Sequence, residues 1–292
     1  MSKIGFVGLG NMGMPMALRL VQSGFQVVAY NRTRTKAESL KGRAEIATTV
    51  RDVAERTDPI LLMLTDTEAV EDVLFSSQGM YERLASGKTI INSSTILPSA
   101  SKRIMDRLKR KNIGYIEVPV LGGPVQARAG ELIALAAGER DRYEDNLNII
   151  KSFATKVFYT GQVSTALSAK LAINQLTAVY AQSLAESIIF AEKHGVDPSL
   201  LLQVLNSTGY RTSFSEQKGP KMVRGEFEPT FFLKHMLKDL DLVDESAHDS
   251  KVYMPLMSQA RSSYLAASNL GLDEKDFSAI ISMLRQLNKG NH

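Results

Sequence analysis

Short apolar runs alternate with amphipathic stretches over the first half of the chain. The runs predict β-strands at residues 3–8, 26–31, 60–64, 89–92 and 114–118, and a further strand at 132–137. The intervening stretches predict helices at residues 12–23, 35–41, 50–56, 67–75 and 98–111. Strands that alternate with helices of this length indicate βαβ units, in which helices cover both faces of a parallel sheet. The first half therefore predicts an α/β fold with a doubly wound parallel sheet.

The apolar positions change to helical spacing after Gly161. Residues 162–194 contain neither glycine nor proline, which predicts one helix of about 30 residues and about 45 Å in length. Further helices are predicted at residues 198–206, 233–250, 255–270 and 276–287. We therefore expect two domains, an α/β domain at residues 1–161 and an all-α domain at residues 162–292. A spine helix of this length cannot be covered by its own small domain, so we also expect a homodimer or homotetramer.

Length and composition narrow the class of protein. At 292 residues the chain exceeds the usual size of one domain, and its 44% hydrophobic and 23% charged residues are typical of globular proteins. The absence of cysteine excludes disulfides, thiolate metal sites and cysteine nucleophiles. The first apolar run is too short for a signal peptide, and no stretch approaches the roughly 18 apolar residues that span a bilayer. We therefore expect a cytoplasmic protein that does not enter a membrane.

The charged residues and the histidines bear on two further classes of protein, those that bind nucleic acid and those that bind a metal. The net charge is +4, and the densest basic segment, residues 102–111, alternates with apolar residues as the solvated face of an amphipathic helix does. This pattern predicts no nucleic-acid surface. His194, His235 and His248 show no metal-ligand spacing with one another, so no metal site is predicted.

A glycine-rich turn follows the first predicted strand and opens the first predicted helix. Its six residues match the pattern G-x-G-x-x-G: Gly8, Leu9, Gly10, Asn11, Met12 and Gly13. The first glycine permits a tight turn, the second lets the backbone approach a pyrophosphate, and the third allows close packing of helix on strand. The helix N-terminus then faces the phosphates. The turn predicts a Rossmann-type domain that binds a dinucleotide.

The end of the second strand distinguishes between the two nicotinamide cofactors. A carboxylate there binds the ribose 2′-hydroxyl of NAD, but this strand continues into Asn31, Arg32, Thr33 and Arg34. An arginine guanidinium matches the geometry of a 2′-phosphate, and the threonine hydroxyl offers a further donor. These residues predict NADP, with NAD accepted at lower preference. For Arg34 the alternative is a merely exposed side chain.

Five segments together resemble the β-hydroxyacid dehydrogenase family, which includes 3-hydroxyisobutyrate dehydrogenases and semialdehyde or glyoxylate reductases. They are GLGNMGMPMA at residues 8–17, ST at 94–95, PVLGG at 119–123, KLAIN at 170–174 and KDL at 238–240. Each segment is moderately specific alone, but their order and spacing cover essentially the whole chain. The resemblance implies a Rossmann domain followed by a helical substrate domain.

The resemblance implies that Lys170 is the catalytic residue and that Asn174 binds substrate beside it. Residues four apart share one face of a helix, so both side chains can address one small molecule. A lysine ammonium can donate a proton to the substrate oxygen during reduction and stabilise the developing alkoxide. The alternative, a solvated helix lysine, is less consistent with the apolar residues that flank Lys170 in the sequence.

The resemblance also implies that backbone N–H groups of Gly122 and Gly123 bind a substrate carboxylate. A glycine pair suits this role because no Cβ blocks close approach. The family usually has serine immediately before this pair, whereas this chain has Leu121. The missing hydroxyl leaves the identity of the substrate open.

Further positions match family residues that contact the cofactor or the substrate. Thr95 matches a residue beside the nicotinamide ring and the substrate, and Leu64 and Thr65 match a cofactor-contacting turn. Lys238 matches a lysine that reaches the cofactor from the helical domain. Phe231 is a candidate wall of the substrate pocket, with a core position as its alternative.

We therefore expect an NADP-dependent oxidoreductase that transfers hydride between the nicotinamide and a small β-hydroxy acid or its semialdehyde or keto acid. One alternative is an aldehyde-acid reductase that acts on succinic semialdehyde or glyoxylate. Another is a non-catalytic NADPH-binding sensor, although the presence of Lys170 with Asn174 argues against it. The expected partner is a small-molecule substrate, and the direction of the reaction stays open.

Overall fold

The computed structural model describes residues 3–288. The chain divides into two compact units, with Lys170 the last residue of the first and Leu171 the first of the second. The predicted domain boundary after Gly161 stays a prediction. Within residues 3–288, no helix combines the length and the apolar character that crossing a membrane requires.

The first unit is built on one nine-stranded sheet. Its strands are β1 (Ile4–Val7), β2 (Val27–Tyr30), β3 (Glu45–Ile46), β4 (Ile60–Leu62), β5 (Thr89–Asn92), β6 (Gly114–Glu117), β7 (Val120–Leu121), β8 (Leu132–Gly138) and β9 (Ala154–Gly161). The first six are parallel and follow the order β3-β2-β1-β4-β5-β6. This order is that of a Rossmann fold, which confirms the predicted architecture.

Beyond β6 the sheet contains strands whose directions the sequence pattern did not predict. Strand β8 runs antiparallel to both β6 and β7, whereas β9 is parallel to β8. Strands β3 and β7 have two residues each, too few for any periodic signal. Strand β9 is half exposed and carries polar residues, so it lacks a continuous apolar run.

Seven helices lie entirely within residues 3–170 of the first unit. They are α1 (Gly13–Gln22), α2 (Arg34–Glu38), α3 (Val50–Arg56), α4 (Thr67–Phe75), α5 (Pro98–Lys109), α6 (Pro124–Ala129) and α7 (Arg140–Phe153). Helices α3 and α4 have the predicted bounds because side-chain caps begin them: Thr49 accepts from the Asp52 N–H, and Asp66 accepts from the Ala69 N–H. Helices α6 and α7 were not predicted.

Successive residues of the central strands enter two different apolar clusters, as expected for a sheet covered on both faces. Phe6 and Leu61 lie in the cluster that includes side chains of α1, α6 and α7. Val7 and Leu62 lie in the cluster that includes side chains of α3, α4 and α5. Burial of each such side chain contributes about 1.5–3 kcal/mol to folding. The sheet is therefore a rigid platform whose strand ends carry the candidate site.

The second unit is helical. Its helices are α9 (Pro198–Asn206), α10 (Ser213–Gln217), α11 (Gly219–Arg224), α12 (Leu233–Ser250), α13 (Pro255–Asn269) and α14 (Ile280–Leu287), preceded by α8 (Thr165–Lys193), which begins in the first unit. The 29 residues of α8 confirm the predicted long helix. The helix predicted at 276–287 is a short 3-10 turn followed by α14.

Candidate active site

The glycine turn begins where β1 ends, and two of its glycines are required by the fold itself. Gly8 has φ +100°, and a Cβ there would lie 2.2 Å from the Met63 carbonyl oxygen. A Cβ on Gly13 would lie 1.9 Å from the Gly8 carbonyl oxygen. Both contacts are far below van der Waals distance, so these positions accept only glycine. The turn therefore packs tightly on β4 and on itself.

Gly10 differs from its two neighbours in the motif. It is exposed, and a Cβ there would meet no described protein atom within 4 Å. Its backbone also lies outside the left-handed region. The fold therefore gives no reason for glycine at this position. A pyrophosphate in close approach to the backbone does give one.

The start of α1 fits the same ligand. Its N-cap residue, Met12, makes no side-chain cap hydrogen bond. Leading N–H groups of a helix have no partner within that helix, and the positive end of the helix dipole favours an anion. The residues present thus fit the phosphates of a dinucleotide.

Asn31 connects the glycine turn to the segment that follows β2. Its Oδ1 accepts from the Leu9 N–H at 2.8 Å, and its Nδ2 donates to the Thr33 carbonyl at 2.9 Å. The side chain is therefore occupied in holding two turns together. Arg32 and Thr33, by contrast, are exposed to solvent beside it.

The turns after β4 and β5 lie beside the glycine turn. Strand β4 pairs with β1 and with β5, all in parallel, so the carboxyl ends of the three strands share one edge of the sheet. The Leu64 N–H donates to Ser94 Oγ at 2.8 Å, which ties the two turns together. Thr65 is exposed and Thr95 is half-buried at the same edge. The structure thus brings together the predicted cofactor residues of the first unit.

The start of α8 is held by a carboxylate that sequence reasoning missed. Glu117, at the end of β6, is fully buried, and its carboxylate accepts from the Ser164 N–H at 2.7 Å and the Leu167 N–H at 3.4 Å. Burial raises the pKa of Glu117 to about 7, against the opposing effect of these hydrogen bonds. The signal in the sequence was an acidic residue at a strand end, just before the PVLGG segment.

Lys170 and Asn174 follow on α8. Both are nearly buried, with exposed fractions of 9% and 6%. Asn174 Nδ2 donates to Asp239 Oδ2 at 2.5 Å. Asp239 Oδ1 also lies 2.8 Å from the Lys238 ammonium nitrogen. The buried Asp239, which was not predicted as a site residue, therefore orients one predicted substrate residue and one predicted cofactor residue.

The two glycines of the PVLGG segment differ in their contacts. The Gly123 N–H donates to Gln126 Oε1 at 3.0 Å, whereas the exposed Gly122 has φ +118°. Leu121 packs in a small apolar cluster with Ala166, in the first turn of α8. A substrate carboxylate that bound both glycines would have to displace the Gln126 side chain.

Phe231 is half-buried and packs against the core of the second unit. Its ring centroid lies 5.9 Å from that of Phe277. The structure thus places Phe231 in the second unit together with Asn174, Lys238 and Asp239. Residues 3–288 contain no group of three or more histidine, aspartate or glutamate side chains arranged to hold a metal ion.

The fold, the glycine turn and the open space at Gly10 define a dinucleotide-binding protein of the Rossmann class. A model of the NAD-binding domain of 6-phosphogluconate dehydrogenase matches residues 3–161. A second, described as NAD-binding of NADP-dependent 3-hydroxyisobutyrate dehydrogenase, matches residues 165–284. The chain belongs to the β-hydroxyacid dehydrogenase family, whose members are NAD(P)-dependent dehydrogenases that act on the CH–OH group of hydroxy acids.

Individual relatives match over nearly the whole chain. Glyoxylate/succinic semialdehyde reductase 1 of Arabidopsis thaliana is 31% identical over 97% of this chain and 98% of its own length. Mitochondrial 3-hydroxyisobutyrate dehydrogenase of Mus musculus is 31% identical over 97% of this chain and 87% of its own length. The structure of Mycobacterium tuberculosis 3-hydroxyisobutyrate dehydrogenase with L-serine covers 98% of this chain and 99% of that chain, at 25% identity and TM-score 0.89.

Proposed function

We propose that this chain is an NADP-preferring dehydrogenase of a small β-hydroxy acid, or reductase of the corresponding semialdehyde or keto acid, with Lys170 as its proton donor and acceptor. The observation that carries the proposal is the placement of Lys170. It is nearly buried on a helix whose first turn is anchored by a buried carboxylate, and Asn174 follows four residues later. A lysine that merely solubilised a helix would be exposed.

The proposed preference for NADP rests on Arg32. Among residues 3–288, the Arg32 guanidinium makes no hydrogen bond or ion pair, whereas Arg34 pairs with Glu38 at 3.0 Å. Arg32 therefore has donors to offer a 2′-phosphate, and Arg34 is already engaged. Arg32 stands where an acid would favour NAD, so we expect NAD to be used at lower preference.

Lys170 and Asn174 carry the proposed chemistry. When bound, the nicotinamide supplies hydride to the substrate carbon in reduction and accepts it in oxidation. The Lys170 ammonium donates a proton to the substrate oxygen in reduction, and the neutral amine removes it in oxidation. Asp239 fixes the Asn174 carboxamide through Nδ2, which leaves its oxygen able to accept from a substrate hydroxyl. Lys238 is proposed to reach the cofactor, and Thr95 the nicotinamide and the substrate.

The proposed substrate class follows from the same residues. A small acid fits a turn with Gly122 and Gly123, and the apolar Leu121 favours an aliphatic substituent over a polar one. The relatives named above are, by their names, a glyoxylate/succinic semialdehyde reductase and 3-hydroxyisobutyrate dehydrogenases. These names support both the β-hydroxy acid and the alternative of an aldehyde-acid reductase.

We also propose that the chain assembles through its second unit as a homodimer or homotetramer. Two large apolar side chains of α8, Leu176 and Phe190, are 62% and 67% exposed. Apolar side chains exposed along one helix mark a surface that a partner covers. The two-domain division at residues 161 and 162, and a cytoplasmic location, stay predictions.

Activity assays on matched lysine variants test the proposed function. NADPH oxidation should be followed with succinic semialdehyde and glyoxylate, and NADP reduction with 3-hydroxyisobutyrate. Lys170→Ala should lower kcat by about 10²–10⁴, the usual contribution of general acid–base catalysis, with little change in NADPH affinity. Lys193→Ala, which alters an exposed lysine at the far end of the same helix, is the control.

Two outcomes would contradict the proposal. Unchanged single-turnover hydride transfer in Lys170→Ala would remove the role of this residue. Tight NADPH binding by the wild-type protein without turnover of any substrate in the panel would favour the alternative of a sensor.

A further inference from the structure

A chain of buried hydrogen bonds leads from the cofactor turns into the interior of the first unit. The Ser94 N–H donates to Asn92 Oδ1 at 3.1 Å, and Asn92 Nδ2 donates to the Tyr115 hydroxyl at 3.0 Å. The Tyr115 hydroxyl lies 2.8 Å from Ser101 Oγ. All four residues are buried. These hydrogen bonds therefore couple the position of Ser94 to that of Ser101 through side chains that are buried away from water.

Glu117 lies next to this chain of hydrogen bonds. It is paired with Asn92 in the register of β5 and β6, and the Ser101 side chain acts on its carboxyl group in the direction that lowers its pKa. On its other side the carboxylate accepts from the first N–H groups of α8. One buried acid thus joins the edge of the sheet that carries Leu64 and Ser94 to the helix that carries Lys170.

The contact between Glu117 and the start of α8, called the junction below, contains two features that are energetically unfavourable by themselves. A carboxylate removed from water is unfavourable unless donors surround it. Ser164, which donates to Glu117, has φ +88°, a left-handed conformation that is rare for residues other than glycine. Such conformations persist only where the surroundings hold them. The helix dipole adds to the attraction, because an anion at a helix N-terminus is stabilised.

We propose that Glu117 is a positioning residue of the reaction, whose carboxylate fixes the first turn of α8, and with it Lys170, relative to the cofactor turns. The proposal rests on the role of Lys170 proposed above. Leu167, held directly by Glu117, precedes Lys170 by three residues, or about 4.5 Å of helical rise. Lys170 is also the first cationic side chain of α8. A loosened first turn therefore displaces the ammonium from the atom it must protonate.

The junction is sensitive to pH near neutrality. Because burial brings the pKa of Glu117 to about 7, the carboxylate gains a proton as the solution becomes mildly acidic and one of its acceptor oxygens becomes a hydroxyl. The elements around it contribute Asn92 from β5, Ser101 from α5 and Ala137 from β8, none of which titrates. Tyr115 does titrate, but burial raises its pKa further above the physiological range. Along α8, the first titratable side chain is that of Lys170.

Kinetics of Glu117→Gln as a function of pH test the proposal. Glutamine keeps the size of the side chain and removes its charge. At pH 8 we expect kcat to fall about 10- to 100-fold, the effect of a misplacement of about 1 Å, while the Kd of NADPH stays within about twofold. The wild-type kcat/KM should show an acidic limb near pH 7, and that limb should be absent in the variant. Asp197→Asn, which removes the carboxylate that caps α9, is the control and should behave as wild type.

A double mutant with Lys170→Ala distinguishes a positioning role of Glu117 from a merely structural one. In a Lys170→Ala background, Glu117→Gln should cause little additional loss, because its effect passes through the lysine. Should Glu117→Gln not fold, hydrogen exchange of the wild-type Ser164 and Leu167 amides decides instead. Their protection should decrease as the pH falls through about 7.

The outcomes distinguish this proposal from the proposed function. Wild-type turnover and an unchanged pH profile in Glu117→Gln, with Lys170→Ala slow, would overturn the positioning role alone. Equal protection of both amides on each side of pH 7 would overturn it as well. Wild-type turnover in Lys170→Ala, where Glu117 is intact, would instead overturn the proposed function.

Discussion

Alanine at Gly10 should separate cofactor binding from folding. The added Cβ would meet no described protein atom within 4 Å, and the backbone there is not left-handed. Replacing such a glycine restricts the unfolded chain, so the free energy of unfolding should rise by about 0.4–1 kcal/mol. The same methyl group would occupy the space through which a pyrophosphate approaches. Loss of one charge-assisted hydrogen bond costs about 1.5–3 kcal/mol, or about 10- to 150-fold in Kd.

Two further glycines give matched controls for this measurement. Gly13→Ala should destabilise the fold by about 1–3 kcal/mol, as overpacking does, because its Cβ would lie 1.9 Å from the Gly8 carbonyl oxygen. Gly209→Ala also adds a Cβ in open space, but in the second unit, so it should raise the free energy of unfolding as Gly10→Ala does and leave the Kd of NADPH unchanged.

The assay combines an NADPH titration by fluorescence with urea unfolding of each variant. A wild-type Kd in Gly10→Ala would show that the open space is not where the phosphates bind. Destabilisation of Gly10→Ala comparable to that of Gly13→Ala would contradict the geometry from which both effects are derived.

Three further predictions concern the cofactor, pH and assembly. Arg32→Asp should weaken NADP use by about 1.5–3 kcal/mol and affect NAD much less. Steady-state kinetics with both cofactors measures this, and equal losses would refute the 2′-phosphate role. The folded state raises the pKa of Glu117 from its ordinary 4.5 to about 7, so the contribution of this group to the free energy of unfolding is largest below pH 4.5 and falls as the pH rises to about 7. This loss of stability amounts to roughly 3 kcal/mol at 1.36 kcal/mol per pKa unit. Urea unfolding of the wild type should show most of this loss between pH 5 and pH 8. An equal decline in Glu117→Gln would contradict the assignment of the loss to Glu117. Sedimentation at micromolar concentration should show a dimer or a tetramer, whereas a clean monomer of 32.1 kDa would refute the proposed assembly.

The elements that sequence patterns predicted well share a strong local signal. Helices α3, α4, α9 and α12 have the predicted bounds, and most other predicted ends differ by one or two residues. Strand β8 was predicted, but its antiparallel direction was not, because that direction is set by pairing with β6 and β7 rather than by its own apolar run. Helix α7 was missed because polar residues interrupt its apolar stripe, including the buried Asn146. Tertiary contacts, which single-sequence patterns do not contain, decide such elements.

The residues of the candidate site also fall into two groups, those with a local sequence signal and those identified only by tertiary contacts. Motif spacing was enough to place Lys170 and Asn174 four residues apart on α8. It was not enough to find Glu117 or Asp239, since each acts through a contact distant in sequence. Glu117 reaches Ser164 across 47 residues, and Asn174 reaches Asp239 across 65. Residues that hold other residues in place leave no local motif, so the structure was needed to identify them.

Two neighbouring side chains, Asn31 and Arg32, have separate roles, and this separation bears on how cofactor preference can change in evolution. Asn31 holds the shape of the two turns, whereas Arg32 beside it offers charge and contributes no hydrogen bond or ion pair to the described structure. On the role proposed for Arg32, a substitution at this position that changed the cofactor preference would therefore carry no stability cost at the turn. The same separation makes position 32 a natural entry point for engineering redox-cofactor use in this enzyme.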